Sequence, residues 1–284
     1  LELLHKMAPL AERVFSGHPL LNEGPLDNAT HMDEGFEFSE YRYYQAGDNP
    51  RNIDWLASIR HNKPIVRYHH QPASARWVIC LDMSASMALH EQEKWKYTIK
   101  IAFAIGYFLL KRGLSVGVIG YSDHSRWLCP VYKGKKQLQR ISDALTKSLP
   151  HTKGGKSQLS SCAQLIKRRD SIIVISDLID ERSHYELTSL ATRGGPTQAI
   201  QVISDNDWHL PSPGIYKIQN IETGKTCMAY QPEINHSQKL RLNDFLQMQK
   251  RACQRKKILL TQVQTNDMWH NGLVQYFLTI GQCQ

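Results

Sequence analysis

Residues 77–86 read WVICLDMSAS: five apolar residues, Trp77 to Leu81, followed by Asp82, Ser84 and Ser86 at alternate positions. An unbroken apolar run of this length suits a strand buried on both faces, and such strands belong to parallel sheets covered by helices. The pattern recurs downstream in Leu114 to Tyr121 (LSVGVIGY), Ile172 to Ile175, Ala199 to Ile203 and Ile258 to Val263. Helical periodicity marks Lys94 to Arg112, Gln137 to Leu149, Gln158 to Arg169, Glu186 to Arg193, Leu240 to Arg255 and Met268 to Leu278. Strands alternating with helices predict an α/β fold over residues 76–284, a doubly wound and mostly parallel sheet. Ligands of such sheets sit beyond the carboxyl ends of the strands, which directs attention to the residues after Leu81, Tyr121, Ser176 and Ile203.

Two stretches break the alternation. Residues 1–75 form a turn- and β-rich N-terminal region with short alternating pieces such as Pro64 to Tyr68. Gly214 to Tyr230 (GIYKIQNIETGKTCMAY) predicts a β-hairpin turning at Thr223-Gly224, an insertion over about 213–231 whose expected partners are the N-terminal strands.

The chain has 284 residues and a formal charge of +9, from 35 Lys and Arg against 26 Asp and Glu. The excess is local: residues 1–75 carry seven basic and ten acidic side chains, whereas 133–169 carries ten basic ones against the single Asp143. Charge of this kind points to a polyanionic or acidic partner and says nothing about fold. The cysteines at 80, 129, 162, 227, 253 and 283 lie 26 to 65 residues apart with no C-x-x-C pair, which disfavours zinc or a disulfide framework and suits the cytoplasm. The longest apolar helical run, Ile101 to Leu110, is too short to span a bilayer, and the first residues carry no signal-peptide pattern.

Asp82, Ser84 and Ser86 place one carboxylate and two hydroxyls in a tight loop after the first strand. Hard oxygens of this type suit Mg²⁺, which also retains water. Ser157, in Gly154-Gly155-Lys156-Ser157, and Asp177, ending the run from Ile172, are the oxygen donors expected from neighbouring loops. Without such convergence, the Asp82 loop is simply a hydrogen-bonded helix cap.

Other motifs carry less. Gly155-Lys156-Ser157 imitates the end of a phosphate-binding loop, but Pro150 occupies the position that needs Gly. Gly120-Tyr121-Ser122 resembles half of a nucleophile elbow whose second Gly is replaced by His124. A hydrolase acting through Asp82 lacks the second carboxylate at position 84, where Ser84 stands. His61, His69 and His70 are read as surface histidines. A nucleic-acid-binding protein using the 133–169 surface is the alternative from another functional class, but aromatic residues are not interleaved with its cations.

The D-x-S-x-S loop, the hydroxyl in a Gly-Gly loop and the later strand-ending Asp resemble the metal-ion-dependent adhesion site of von Willebrand factor type A domains. The run Glu37 to Trp55, with Arg42, Asp48, Arg51 and Asp54, followed by Arg60, resembles the motif of the bacterial domain-of-unknown-function family 58. The resemblance implies direct metal ligation by Ser84, Ser86 and Ser157, with Asp82 and Asp177 acting through water. The loop hydroxyl is usually Thr in type A domains. Here it is Ser157, preceded by Lys156, whose ammonium would weaken cation binding.

The function expected is a non-enzymatic interaction module holding a divalent cation, Mg²⁺ or Mn²⁺, and accepting an Asp or Glu from an acidic partner surface. The resemblance implies a MoxR-type AAA+ ATPase as one partner, with this chain as its adaptor. The N-terminal carboxylate and Arg set reads as a paired network that fixes its own turn-rich segment.

Overall fold

The computed structural model describes residues 4, 7–9, 38–43, 55–61, 63–69, 76–180, 182–193, 195–207, 214–231 and 235–281. The chain divides into two compact units, 22–74 and the remainder, in which residues 1–21 group with 75–284. In the smaller unit, β1 (Phe38–Tyr43) pairs antiparallel with β2 (Ile65–His69), and α1 (Trp55–His61) lies between them in sequence. The Ile65 backbone N–H donates to Ser58 Oγ at 2.8 Å, tying the helix to the strand that follows it. Asp48, Arg51, Asp54 and His70 lie outside the described residues.

The larger unit is built on a six-stranded sheet. Its strands are β3 (Arg76–Asp82), β4 (Ser115–Tyr121), β5 (Ser125–Tyr132), β6 (Ser171–Ser176), β7 (Thr197–Ile203) and β10 (Leu259–Gln264). Their order is β10-β7-β6-β3-β4-β5, and every neighbouring pair is parallel except β4 with β5. This is the doubly wound sheet expected from the sequence. The remaining strands, β8 (Gly214–Gln219) and β9 (Thr226–Gln231), form their own two-stranded hairpin. Each of the two ribbons is a separate two-stranded sheet, β1 with β2 and β8 with β9.

Alternation along β3 divides the core. Trp77, Ile79 and Leu81 face one layer, packed with α2 (Leu89–Lys111), α3 (Lys135–Lys147) and α6 (Trp269–Gly281). Val78 and Cys80 face the other, where Leu187 and Leu190 of α4 (Ser183–Arg193) and Cys253 of α5 (Asn235–Arg255) pack. Each large apolar side chain so buried contributes roughly 1.5–3 kcal/mol. Leu4 and Ala8 enter the first layer. No helix among the described residues is long and apolar enough to cross a membrane.

The helix expected at Gln158 to Arg169 is reduced to one 3₁₀ segment, Leu159–Gln164. Serines compete there for backbone partners: Ser161 Oγ donates to the Gln158 carbonyl at 2.8 Å. At the far end, the Asp170 carboxylate accepts the Lys167 N–H at 3.0 Å and so stops propagation.

The register brings the chemistry together. Asp82 lies opposite Tyr121, while Leu81 pairs with Ile175, so Ser176 and Asp177 follow at the same end of the sheet. From β3 the chain adds β4 and β5 on one side, and β6, β7 and β10 on the other. The crevice between β3 and β6 is therefore the topological switch point, where α/β sheets bind ligands.

Candidate metal centre

Asp82 is fully buried and organises the site. Its Oδ1 accepts the Ser84 backbone N–H at 2.8 Å. Its Oδ2 accepts the Ser157 and Ser176 hydroxyls, both at 2.6 Å. The Ser84 and Ser86 hydroxyls lie 3.0 Å apart. Burial and the charge of Asp177 push the Asp82 carboxyl up, against the three serine hydrogen bonds that pull it down.

Backbone contacts strap the loops into place. The Met83 N–H donates to the Tyr121 carbonyl at 2.7 Å and the His151 N–H to the Met83 carbonyl at 2.9 Å. The Ala85 N–H reaches the Gly155 carbonyl at 3.3 Å. Gly154 and Gly155 both have left-handed backbones, φ +70° and +71°, which explains two consecutive glycines in the loop that delivers Ser157.

A cleft of about 660 Å³ opens above this cluster. Ser86, Ser157 and Asp177 line it together with Lys94, Asp180, Asp207 and Glu222. The five residues singled out in the sequence thus converge: three form the wall, and Asp82 and Ser84 stand behind it through hydrogen bonds to Ser157 and Ser86.

Four contributors were not legible in the sequence. Ser176 shares Asp82 Oδ2 with Ser157. Lys94, 1% exposed, donates to Asp177 Oδ2 at 2.9 Å and to Asp207 Oδ1 at 3.0 Å. Burial alone would lower the Lys94 pKa, but Asp177 and Asp207 together outweigh it and hold it above its ordinary value. Asp207 shows the opposite balance, pushed up by burial more than the ammonium pulls it down. Glu222, from the turn between β8 and β9, is pushed up to about 7 by burial and by the charges of Asp82, Asp177 and Asp180.

Lys156 precedes Ser157 on the loop. Its side chain is exposed and is not in the cleft wall, and its backbone N–H donates to Asp123 Oδ1 at 2.9 Å. The cations that line the cleft are Lys94, buried, and Arg182.

The Asp177 loop is fixed from below by a chain of amides. Gln262 Nε2 donates to Gln201 Oε1 at 3.0 Å, and Gln201 Nε2 donates to the Asp177 carbonyl at 3.0 Å and to Gln249 Oε1 at 2.8 Å. Gln249 Nε2 completes the chain at the Leu178 carbonyl, 2.6 Å away. His90, which lines the cleft, and the following Glu91 and Gln92 have left-handed backbones, φ 50°, 55° and 62°. Three consecutive residues in that region are strained, and strain of this kind persists only where the surroundings impose it.

The donor set fits a hard divalent cation. It consists entirely of carboxylate and hydroxyl oxygens, and Asp177, Asp180, Asp207 and Glu222 line the cleft while Asp82 stands behind it. Among the described residues no three His, Cys, Asp or Glu side chains gather closely enough to hold an ion by themselves, so the serine hydroxyls are indispensable to any such site. An acid–base apparatus is less complete. Ser122 Oγ and His151 Nε2 lie 3.1 Å apart, yet neither lines the cleft. Among the described hydrogen bonds, no carboxylate orients the other imidazole nitrogen as a nucleophile triad requires.

Residues 40–252 match the model of the family described as protein of unknown function DUF58. The chain belongs to this family. An uncharacterized protein of Mycobacterium tuberculosis, Rv1480, is 25% identical over 213 residues, covering 70% of this chain and 67% of the relative. Among solved structures, an aerotolerance-related membrane protein of Bacteroides fragilis aligns with a TM-score of 0.45 at 14% identity, over 73% of this chain and 99% of that one. A von Willebrand factor type A protein from Catenulispora acidiphila aligns at 0.43 and 9% identity, over 74% of this chain and 42% of that one. Mussel proximal thread matrix protein 1, solved with a zinc-occupied MIDAS motif, aligns at 0.37 and 16% identity, over 45% of this chain and 38% of that one. The larger unit of this DUF58 chain has a mixed α/β fold, a six-stranded and mostly parallel sheet flanked by helices.

Proposed function

We propose that this DUF58 chain is a non-enzymatic protein-interaction module that presents a divalent cation, Mg²⁺ or in its place Mn²⁺, to a carboxylate on an acidic partner. Asp82, Ser84, Ser86, Ser157 and Asp177 would hold the ion. The observation that carries this reading is the convergence of the Ser157 and Ser176 hydroxyls and the Ser84 backbone N–H on the buried Asp82, behind the wall of an open cleft. When bound, such an ion supplies an electrophilic position that accepts an outside oxygen.

The cleft wall is acidic, with Asp177, Asp180, Asp207 and Glu222 against Lys94 and Arg182. Like charge repels an acidic partner unless a divalent ion intervenes, so association should require the ion. Lys153 and Lys156, exposed on the loop that delivers Ser157, would steer the partner toward the opening. The family resemblance makes a MoxR-type AAA+ ATPase the partner to test first, with this chain as its adaptor. The buried, unpaired Cys80, Cys129, Cys162 and Cys253 favour a reducing compartment, which we take to be the cytoplasm.

Titration calorimetry with Mg²⁺ and Mn²⁺ tests the ion. Binding by the wild type that Asp82→Ala abolishes is the expected result, and no heat from either ion ends the metal reading. Affinity capture with and without chelator, comparing wild type with the double variant Ser84→Ala/Ser86→Ala, tests the interaction. Partner capture unchanged by both treatments removes the ion from it.

A further inference from the structure

The hairpin insertion reaches the candidate centre. The β8–β9 turn spans Asn220 to Lys225, and the Gly154 backbone N–H donates to the Ile221 carbonyl at 3.2 Å. The turn tip is thereby joined to the loop that delivers Ser157. The turn is also pre-shaped. Asn220 Oδ1 accepts the Glu222 N–H at 3.0 Å and the Thr223 N–H at 2.8 Å, and Gly224 supplies the left-handed backbone that closes the ribbon. Glu222 follows the residue anchored to Gly154 and lines the same wall as Ser86, Ser157 and Asp177.

The Glu222 carboxylate accepts the Ser157 backbone N–H, so it lies against the loop that delivers a proposed ligand, and Asp82, Asp177 and Asp180 stand near enough to repel its charge. The cations in the cleft are engaged elsewhere: Lys94 between Asp177 and Asp207, and Arg182 beside Asp180 at 3.9 Å. Among the described residues no cation pairs with Glu222. A turn that is rigidly built to hold a carboxylate against other carboxylates makes electrostatic sense when a divalent ion lies between them.

We infer that Glu222 is the chain's own carboxylate ligand for the proposed cation, and that the 214–231 hairpin caps the position an outside Asp or Glu would take. This rests on the metal reading above and deepens it. An acidic partner would bind by exchange, its carboxylate replacing that of Glu222, so the hairpin sets how strong a partner must be to dock.

The test uses the full chain and Mn²⁺ alone, following free ion by electron paramagnetic resonance and water on the bound ion by solvent-proton relaxation. Glu222→Gln removes the charge and keeps the size, on a partly exposed turn. With its melting curve in chelator matching wild type, it should bind Mn²⁺ on the order of tenfold more weakly, because affinity at such sites follows ligand charge. It should also give higher proton relaxation per bound Mn²⁺, because water fills the vacated position. If wild type binds Mn²⁺ and Glu222→Gln matches it in both affinity and relaxation, the internal-ligand inference is overturned while the metal reading stands. If wild type and Asp82→Ala alike fail to bind Mn²⁺, both are overturned.

Discussion

Replacing Lys94 with Met is the most searching single perturbation of this site. The change keeps most of the aliphatic stem, so the charge is what is lost. Lys94 Nζ lies 2.9 Å from Asp177 and 3.0 Å from Asp207, with all three side chains at most 5% exposed. At an effective dielectric near 20, each contact is worth about 6 kcal/mol of attraction before desolvation is counted. Removing one member of a buried pair typically costs about 3–5 kcal/mol, because the remaining charges are stranded. For a unit of this size that corresponds to a fall in Tm of roughly 6–20 °C. Differential scanning calorimetry of Lys94→Met in chelator at pH 7.5 measures the fall directly. Stranded, the Asp207 carboxyl, which burial already pushes up, takes up protons more readily in the folded variant than in the unfolded chain. Its penalty is therefore full at neutral pH and shrinks as pH drops. Added Mg²⁺ should restore more Tm in the variant than in wild type, since the ion supplies the missing positive charge. A loss below about 1 kcal/mol in chelator would show that Lys94 does not hold Asp177 and Asp207 together, and the electrostatic account of the cleft would fall with it.

Other expectations concern the frame around the site. Gly155→Ala forces a Cβ to within 2.9 Å of the His151 ring at a left-handed backbone position. It should destabilise the chain by about 1–2 kcal/mol in a denaturant titration and weaken Mn²⁺ binding, and wild-type values for both would exclude strain in that loop. Glu91→Gly should cost at least about 1 kcal/mol less than Lys100→Gly on the same helix, because Glu91 already sits at φ 55°. Equal costs would mean that residue 91 is ordinary helix in solution. Burial pushes the Cys253 thiol up to about 11, which leaves on the order of 0.1% thiolate at pH 8. Brief iodoacetamide treatment of native protein followed by peptide mass spectrometry should therefore leave Cys253 unlabelled until denaturant is added, and rapid native labelling would contradict its burial.

The central strands were readable because β3, β4, β6 and β7 are buried on both faces and so carry unbroken apolar runs. β5 was not, because its sequence, SRWLCPVY, alternates irregularly and includes Pro130, as an antiparallel edge strand tolerates. Asp82, Ser84 and Ser86 announced themselves through local spacing, and Ser157 and Asp177 through their place after a Gly-Gly turn and a strand. Lys94 gave no such signal. On a helix of mixed polarity a lysine reads as a surface cation, and only the fold reveals that it points between two carboxylates. Glu222 was hidden for a similar reason. The hairpin itself was visible from Thr223-Gly224, but nothing local specifies that its turn folds back over Ser157.

The amide chain through Gln262, Gln201 and Gln249 gives the Asp177 loop a mechanical partner on α5. Gln249 grips the Leu178 carbonyl and Gln201 the Asp177 carbonyl, so this loop cannot shift by an ångström without stretching at least one buried hydrogen bond. Occupancy at the mouth of the cleft and the seating of α5 are thereby geared together. A fluorophore on an exposed position of that helix, such as Lys250, would report events at Asp177 from outside the pocket.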